Sequence, residues 1–194
     1  MKKEYWNDVA SKGAVLGVLM LASHIIEQSC LFGGSLSIFA IMGVEMLVVA
    51  VLYIWLLYRF AKKASVKFGD DTLGFSYSQG LGYVVCIALF AGVIVGLGGY
   101  IFQHFIIGYD NYIDSVTETM QQVLYSSGAS SMMLKTYEDM FSTMAEQPEP
   151  GVLNVIFSTV CNYGFWGLII GLFIAGGVKR EPRLFDGNSP EDEI

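Results

Sequence analysis

The sequence predicts an all-α integral membrane protein with four transmembrane helices and an extracytoplasmic helical hairpin between helices 3 and 4. Four apolar runs each approach or exceed the ~20 residues that a helix needs to cross a bilayer. Charged residues make up only 15% of the 194 residues, whereas a soluble domain usually carries about 25%. The mean hydropathy is +0.52, and the Lys and Arg residues lie almost entirely in segments that flank the apolar runs.

The first predicted membrane helix covers residues 13–32 and follows a short polar segment, residues 1–12. Its second half carries His24 and Glu27, which lie three positions apart and therefore on one helix face. No A-x-A cleavage site follows the apolar run, so we expect this helix to remain in the mature protein. A tight turn at Gly33-Gly34 is expected to lead directly into the second helix.

The second predicted membrane helix covers residues 34–60 and is apolar almost throughout, with Glu45 near its centre. It ends in aromatic and basic residues, which are typical of a membrane surface. The predicted loop 61–77 then carries Lys62, Lys63 and Lys67, which we expect on a helical continuation just outside the bilayer.

The third and fourth predicted membrane helices, residues 78–107 and 151–178, are rich in small residues. In each helix small side chains recur at four-residue spacing, which allows two helix backbones to approach closely. We expect these stripes to mediate helix packing rather than ligand binding. The stripes are Ala88, Gly92 and Gly96 in the third helix, and Gly167, Gly171 and Ala175 in the fourth.

Residues 108–150 form a polar, acidic insert that is too long for a simple loop. Apolar residues recur at spacings of three and four on either side of Ser126–Ser131, which indicates two amphipathic helices joined by a turn. Their apolar faces could pack on each other, lie on the membrane surface or dock a partner. Residues 179–194 form an acidic tail.

The distribution of basic residues predicts the orientation. Of the 11 Lys and Arg residues, only Lys135 lies in the insert, and the others lie near the termini or around the loop 61–77. By the positive-inside rule both termini and this loop are cytoplasmic, and the insert is extracytoplasmic. We therefore expect a multi-pass protein of the bacterial inner (plasma) membrane.

Four polar residues inside the predicted helices are candidate ligand-binding residues: Glu45, His24, Glu27 and Asn162. At 1.5 Å per residue, Glu45 and Asn162 lie about 16 Å deep, His24 about 12 Å and Glu27 about 7 Å. Ser158, Thr159, Gln103 and His104 would join Glu27 in a shallower layer. The functional hypothesis is an outward-open polar cavity with Glu45 at its floor, suited to a proton, a cation or a polar lipid head group. The alternative is a set of interhelical hydrogen bonds, and the residues leave both open.

No enzyme, cofactor or nucleic-acid signature is present. The chain lacks the common hydrolase, zinc-protease and nucleotide-binding motifs, and no cofactor is expected. A metal site at His24 and Glu27 would need a third ligand from Glu45 or His104, so none is expected. The net charge of −7 argues against nucleic acid. Ordinary packing is expected for the three cysteines, Cys30, Cys86 and Cys161.

One run of residues carries a family resemblance. Gly74-Phe75-Ser76-Tyr77-Ser78-Gln79-Gly80 opens the Gly-rich third helix, after two helices joined by a tight turn and a basic loop. With the acidic insert and the Gly-rich last helix, this order resembles the bacterial membrane family called domain of unknown function 4199. The resemblance implies four spans and no established activity, and it brings no catalytic residues.

Two functions follow as hypotheses. The first is a non-enzymatic accessory or scaffold subunit of the cell envelope, in contact with membrane lipids and with copies of itself or an envelope protein. It rests on the Met-rich apolar faces of the insert, since Met suits adaptable binding surfaces. The second is a small transporter or lipid-handling protein that uses the cavity around Glu45. An intramembrane enzyme would need a nucleophile and a base, and no such pair is evident.

Overall fold

The structure is a computed structural model that describes residues 2–31, 36–69, 74–146 and 148–181. This part of the chain is helical and contains no strand. Its helices are α1 (Lys2–Leu31), α2 (Leu36–Phe68), α3 (Tyr77–Ile101), α4 (Tyr109–Ser126), α5 (Ser131–Glu146) and α6 (Val152–Val178). A π-helical turn, Phe102–Ile107, continues α3. The predicted turn at Gly33-Gly34 and the tail beyond residue 181 lie outside the described residues.

Within the described ranges, four helices are long and apolar enough to cross a membrane: α1, α2, α3 with its π-helical turn, and α6. This confirms the all-helical fold with four span-capable helices. The hairpin arrangement of the insert and its side of the membrane stay predictions. The main difference concerns residues 2–12, which extend α1 instead of forming a separate polar segment. Their inward side carries Val9, which is fully buried, and Asp8, which accepts a hydrogen bond from Tyr83 of α3.

Helix α3 lies between α1 and α6. It runs parallel to α1, because Gly17 lies against Ala91 and Leu21 fills the space over Gly98. It runs antiparallel to α6, because Gly80 lies against Ala175. At one end of the bundle α1 ends and α6 begins, and this end lies next to the insert. We call this the insert end, and the opposite end the termini end.

The small-residue stripes pack as predicted. A Cβ atom on Gly92 would lie 3.0 Å from Val160 Cα, and one on Gly96 would lie 3.0 Å from Ile156 Cα. From the other side, Gly167 lies against Ala88. Because backbone atoms form these contacts, the α3–α6 interface leaves no room for larger side chains, and van der Waals contact between the backbones holds the two helices together.

Helix α2 packs unevenly on the other three helices. It runs antiparallel to α1, since Glu45 contacts Ser23 near the insert end and Lys67 lies 3.5 Å from Glu4 at the termini end. One stripe of α2 faces the bundle. The stripe is fully buried from Tyr53 onward but only half-buried before that residue. As predicted, the helix continues through the basic residues to Phe68.

The termini end is tied together at the start of α3. Ser76 caps the helix: its hydroxyl accepts a hydrogen bond from the Gln79 amide at 3.2 Å, and the Gln79 side chain accepts one from the Ser76 amide at 2.8 Å. Such a capping box satisfies two backbone donors. Buried Phe75 forms a β-bridge with Arg180, just after α6. The beginning of α3 and the end of α6 are thus held side by side.

The insert contains the two predicted helices. Helix α4 ends at Ser126 and α5 begins at Ser131, as the serine-rich segment indicates. Gly108, with a φ of +86°, separates the π-helical turn from α4 and allows the chain to change direction. Ile113 of α4 and Phe141 of α5 are buried.

Candidate functional site

The candidate site joins α1 and α2 in the half of the bundle nearer the insert. The Ser23 hydroxyl donates a hydrogen bond to Glu45 Oε1 at 2.7 Å. Glu27, one turn after Ser23 on α1, lies within electrostatic range of Glu45. Two carboxyl groups from different helices therefore lie near one hydroxyl group. We call Glu27 and Glu45 the carboxyl pair.

The carboxyl pair has the chemistry to hold a proton. An ionised carboxylate only accepts hydrogen bonds, so two carboxyl groups can bond to each other only when one of them carries a proton. Two charged carboxylates at close range would repel each other strongly in a medium of low dielectric constant. The sequence has no Lys or Arg from residue 13 to residue 58 that could neutralise them. The arrangement is therefore suited to holding one exchangeable positive charge.

His24 and Gln28 form the second part of the site, one turn apart on α1. The Gln28 amide Nε2 lies 2.9 Å from His24 Nε2, and His24 Nδ1 lies 4.0 Å from Glu27 Oε2. Because an amide nitrogen only donates, His24 Nε2 accepts here, and the ring proton is on Nδ1, facing Glu27. A neutral His24 is consistent with this geometry. The ring also packs over Gly99 of α3.

Several acceptor atoms in this region are buried without a hydrogen-bond partner. Among the described residues these include Glu45 Oε2 and Gln28 Oε1, and Gln28 is only 3% exposed. A buried polar atom without a partner costs about 1–3 kcal/mol, so such atoms need an explanation. Both are oxygen atoms, which would suit a ligand that donates hydrogen bonds. Over the same residues, no group of three or more His, Cys, Asp and Glu side chains could hold a metal ion.

Two tyrosines lie on the termini-end side of the carboxyl pair. Tyr163 of α6 is within electrostatic range of Glu27, and its ring meets that of Tyr53 of α2 at a centroid distance of 6.3 Å. The Tyr53 hydroxyl is buried without a hydrogen-bond partner. The aromatic contact joins α2 to α6 where the buried part of the α2 stripe begins.

The structure brings together three of the four candidate residues. Glu27 lies within electrostatic range of Glu45, and His24 Nδ1 lies 4.0 Å from Glu27 Oε2. Asn162 lies on an exposed face of α6, because the neighbouring residue Tyr163 is the one directed toward the bundle. Ser158 and Thr159, expected in the shallower layer, instead donate to a carbonyl of their own helix, that of Val155.

His104 belongs to a separate cluster at the insert end. Its ring stacks between those of Tyr100 and Tyr109, with centroid distances of 3.8 and 5.2 Å. Its Nδ1 lies 3.0 Å from the Tyr100 carbonyl oxygen. Its Nε2 lies 3.0 Å from Glu149 Oε1, at ion-pair distance but without hydrogen-bond alignment. This cluster connects the π-helical turn with the segment that enters α6.

Sequence reasoning missed Ser23, Gln28 and Tyr163. A signal existed for the first two, because Ser23 precedes Glu27 by four residues and Gln28 follows His24 by four. Side chains at this spacing meet on a helix. For Tyr163 no such signal existed, since its direction depends on how α6 rotates against α3.

Comparison with known proteins agrees with the fold. A family model described as "Protein of unknown function (DUF4199)" matches residues 12–180, most of the chain. The chain belongs to this DUF4199 family. No curated protein and no solved structure matches it. The sequence-based resemblance to this family is thereby confirmed.

The structure gives a physical role to the run that carried the resemblance of this DUF4199 member. Phe75 is buried, Ser76 and Gln79 form the capping box of α3, and Gly80 allows contact with Ala175 of α6. These residues start a helix and set its packing. The run therefore contributes to the fold of the protein and not to the candidate site.

Proposed function

We propose that this DUF4199 member is a small, non-enzymatic transporter or lipid-handling protein that binds a proton, or a cation in its place, at the carboxyl pair. The observation that carries the proposal is the hydrogen bond between Ser23 and Glu45 across two helices, with Glu27 of the first helix within electrostatic range of Glu45. An ionisable side chain inside a membrane-spanning helix costs free energy on insertion, and such side chains commonly mark ion or proton pathways.

The distribution of basic residues supports a direction for this site. Lys and Arg flank the termini end of the bundle, and the insert end has Lys135 as its one basic residue in the sequence 68–178. With both termini cytoplasmic in the inner membrane, the carboxyl pair faces the extracytoplasmic half of the bilayer. His24 and Glu27, whose side chains are about one-third exposed, then lie on the route to the pair.

The proton at the pair is testable with a membrane-permeable carbodiimide, which reacts with protonated carboxyl groups in apolar surroundings. We expect Glu27 or Glu45 of the protein in lipid nanodiscs to be modified at neutral pH, as located by peptide mass spectrometry. In Glu27→Gln, the amide can donate to Glu45 without a proton, so modification of Glu45 should fall. Glu149→Gln, which alters a half-exposed carboxyl outside the pair, is the matched control.

Transport is tested with the same variants in proteoliposomes that contain a pH-sensitive dye. Under an imposed membrane potential we expect proton movement through the natural protein and its loss in Glu45→Gln, with Glu149→Gln unchanged. Equal proton movement in all three proteins would exclude a proton pathway through the pair. Undiminished labelling of Glu45 in Glu27→Gln would instead show that the two carboxyl groups share no proton.

A second function is favoured by a different surface, and we propose it as the alternative: an accessory or scaffold subunit of the cell envelope. Met132, Met133 and Met140 of α5 are exposed, and exposed Met residues suit adaptable protein contacts. A subunit of this kind should purify in mild detergent with a protein partner or as a homo-oligomer. Light scattering that finds a monomer without a companion would remove this candidate.

A further inference from the structure

The exposed methionines lie on one side of α5 and form what we call the methionine face: Met132, Met133 and Met140. Their side chains are 81%, 50% and 46% exposed. Phe141, on the neighbouring side of α5, is buried. The helix therefore uses one part of its apolar surface inside the protein and leaves the methionine face open.

Asp139 borders this face. It follows Met132 by seven residues, two helical turns on the same side, and it is exposed. Glu138 is also exposed but lies on the opposite side of α5. From residue 109 to residue 150 the sequence contains seven Asp and Glu residues against a single Lys. The electrostatic potential around the methionine face is therefore negative, which favours a positively charged partner.

The same charge disfavours the membrane surface as the occupant. Helices that lie on a bilayer carry Lys and Arg on their polar face, which are attracted to anionic head groups. The polar side of α5 carries Glu138 and Asp139 with Lys135 as its one basic residue, so anionic lipids would repel it. An apolar strip with an acidic residue at its edge, on an acidic insert, instead matches an amphipathic helix whose polar side is basic, bound with its apolar side against the methionines.

We propose that the methionine face docks a basic amphipathic segment of an extracytoplasmic protein partner, an inference that rests on the accessory-subunit candidate. The unbranched Met side chains can adjust to the apolar side of such a segment. Asp139 at the edge of the face, on an insert with seven Asp and Glu residues and a single Lys, supplies attraction to the Lys and Arg residues of the segment. Binding should therefore weaken with added salt, because exposed charge pairs are screened.

The binding test uses the full chain in nanodiscs of zwitterionic lipid and a fluorescent amphipathic helical peptide of Leu and Lys. We expect the peptide to bind more tightly than to empty nanodiscs, as measured by fluorescence anisotropy. Met132→Ser with Met140→Ser should weaken binding about 10-fold, the loss of roughly two partly buried apolar contacts. Met132→Leu with Met140→Leu, the matched control, should retain binding, and Asp139→Asn should reduce the salt dependence.

A second measurement separates failure of this inference from failure of the accessory function. A photo-crosslinking residue replaces Met132 in the full chain in native membranes. A protein adduct together with peptide binding supports the inference. A protein adduct without peptide binding retains the accessory function but overturns the basic segment as partner. Lipid adducts alone would place the methionine face on the membrane, and the absence of any adduct would overturn both proposals.

Discussion

The packing of α3 against α6 predicts opposite effects for two Gly→Ala substitutions on one helix. A Cβ atom on Gly92 would lie 3.0 Å from both Val160 Cα and Tyr163 Cβ. Since Val160 contributes a backbone atom, relief requires a shift of α6. A Cβ atom on Gly82 would meet no atom within 4 Å, so Gly82→Ala is the matched control.

The magnitude follows from two terms. Replacing Gly by Ala favours a helix by up to about 1 kcal/mol, and this gain is common to both variants. Overpacking of a close contact costs about 1–3 kcal/mol, and only Gly92→Ala incurs it. The free energy of unfolding of Gly92→Ala should thus lie about 1–3 kcal/mol below that of Gly82→Ala.

The assay is reversible unfolding in mixed micelles of mild detergent and dodecyl sulfate, followed by circular dichroism of the helices. Reporting the difference between the two variants cancels the shared gain in helix propensity. If Gly92→Ala proved as stable as Gly82→Ala, α6 would not lie against Gly92 as described. Gly92→Ala should also displace Tyr163, whose Cβ is one of the two contacts, and so disturb its packing on Tyr53.

Two further predictions concern tyrosines. Tyr83 is fully buried and donates a hydrogen bond to Asp8 Oδ2 at 2.5 Å, so Tyr83→Phe should lower the unfolding free energy by about 1.5–3 kcal/mol, the range for a bond to a charged group. An equally small effect of Tyr83→Phe and of Tyr125→Phe, an exposed tyrosine, would contradict this. Burial raises the pKa of Tyr112 above its ordinary value of 10.0, and the nearby Tyr109 raises it further by a smaller amount. This contribution to stability is complete below pH 10 and is lost as the pH rises through the raised pKa, so Tyr112→Phe should resist alkaline unfolding better than the natural protein, whereas equal alkaline midpoints would refute the assignment.

The helices and their packing stripes could be predicted from the sequence because hydropathy and four-residue spacing report them directly. The helical start of α1 was missed, because residues 2–12 are polar overall and only contacts such as those of Val9 reveal the buried side. The hydropathy of that segment indicates where the bilayer ends, and a helix does not have to end there.

The candidate site could be predicted only in part, for a geometric reason. Counting residues from the membrane edge gives depth, and this placed Glu45 and Asn162 at one level. It does not give the rotation of a helix about its own axis, and each successive side chain points about 100° further around that axis. Tyr163 therefore faces the bundle while Asn162 is exposed. Residues on one helix, such as Ser23 and Glu27, escape this uncertainty because their spacing alone sets their relative direction.

The uneven packing of α2 has a consequence for movement. From Tyr53 to the termini end the helix is anchored by buried contacts, including Leu57 and Ala61, whereas its other half loses little apolar contact if it swings outward. Its described attachment there is the hydrogen bond from Ser23 to Glu45. This half of α2 can therefore swing outward about a point near Tyr53 once that bond opens. If the carboxyl pair holds the proton proposed above, loss of that proton would leave two like charges, and their repulsion would favour this outward movement.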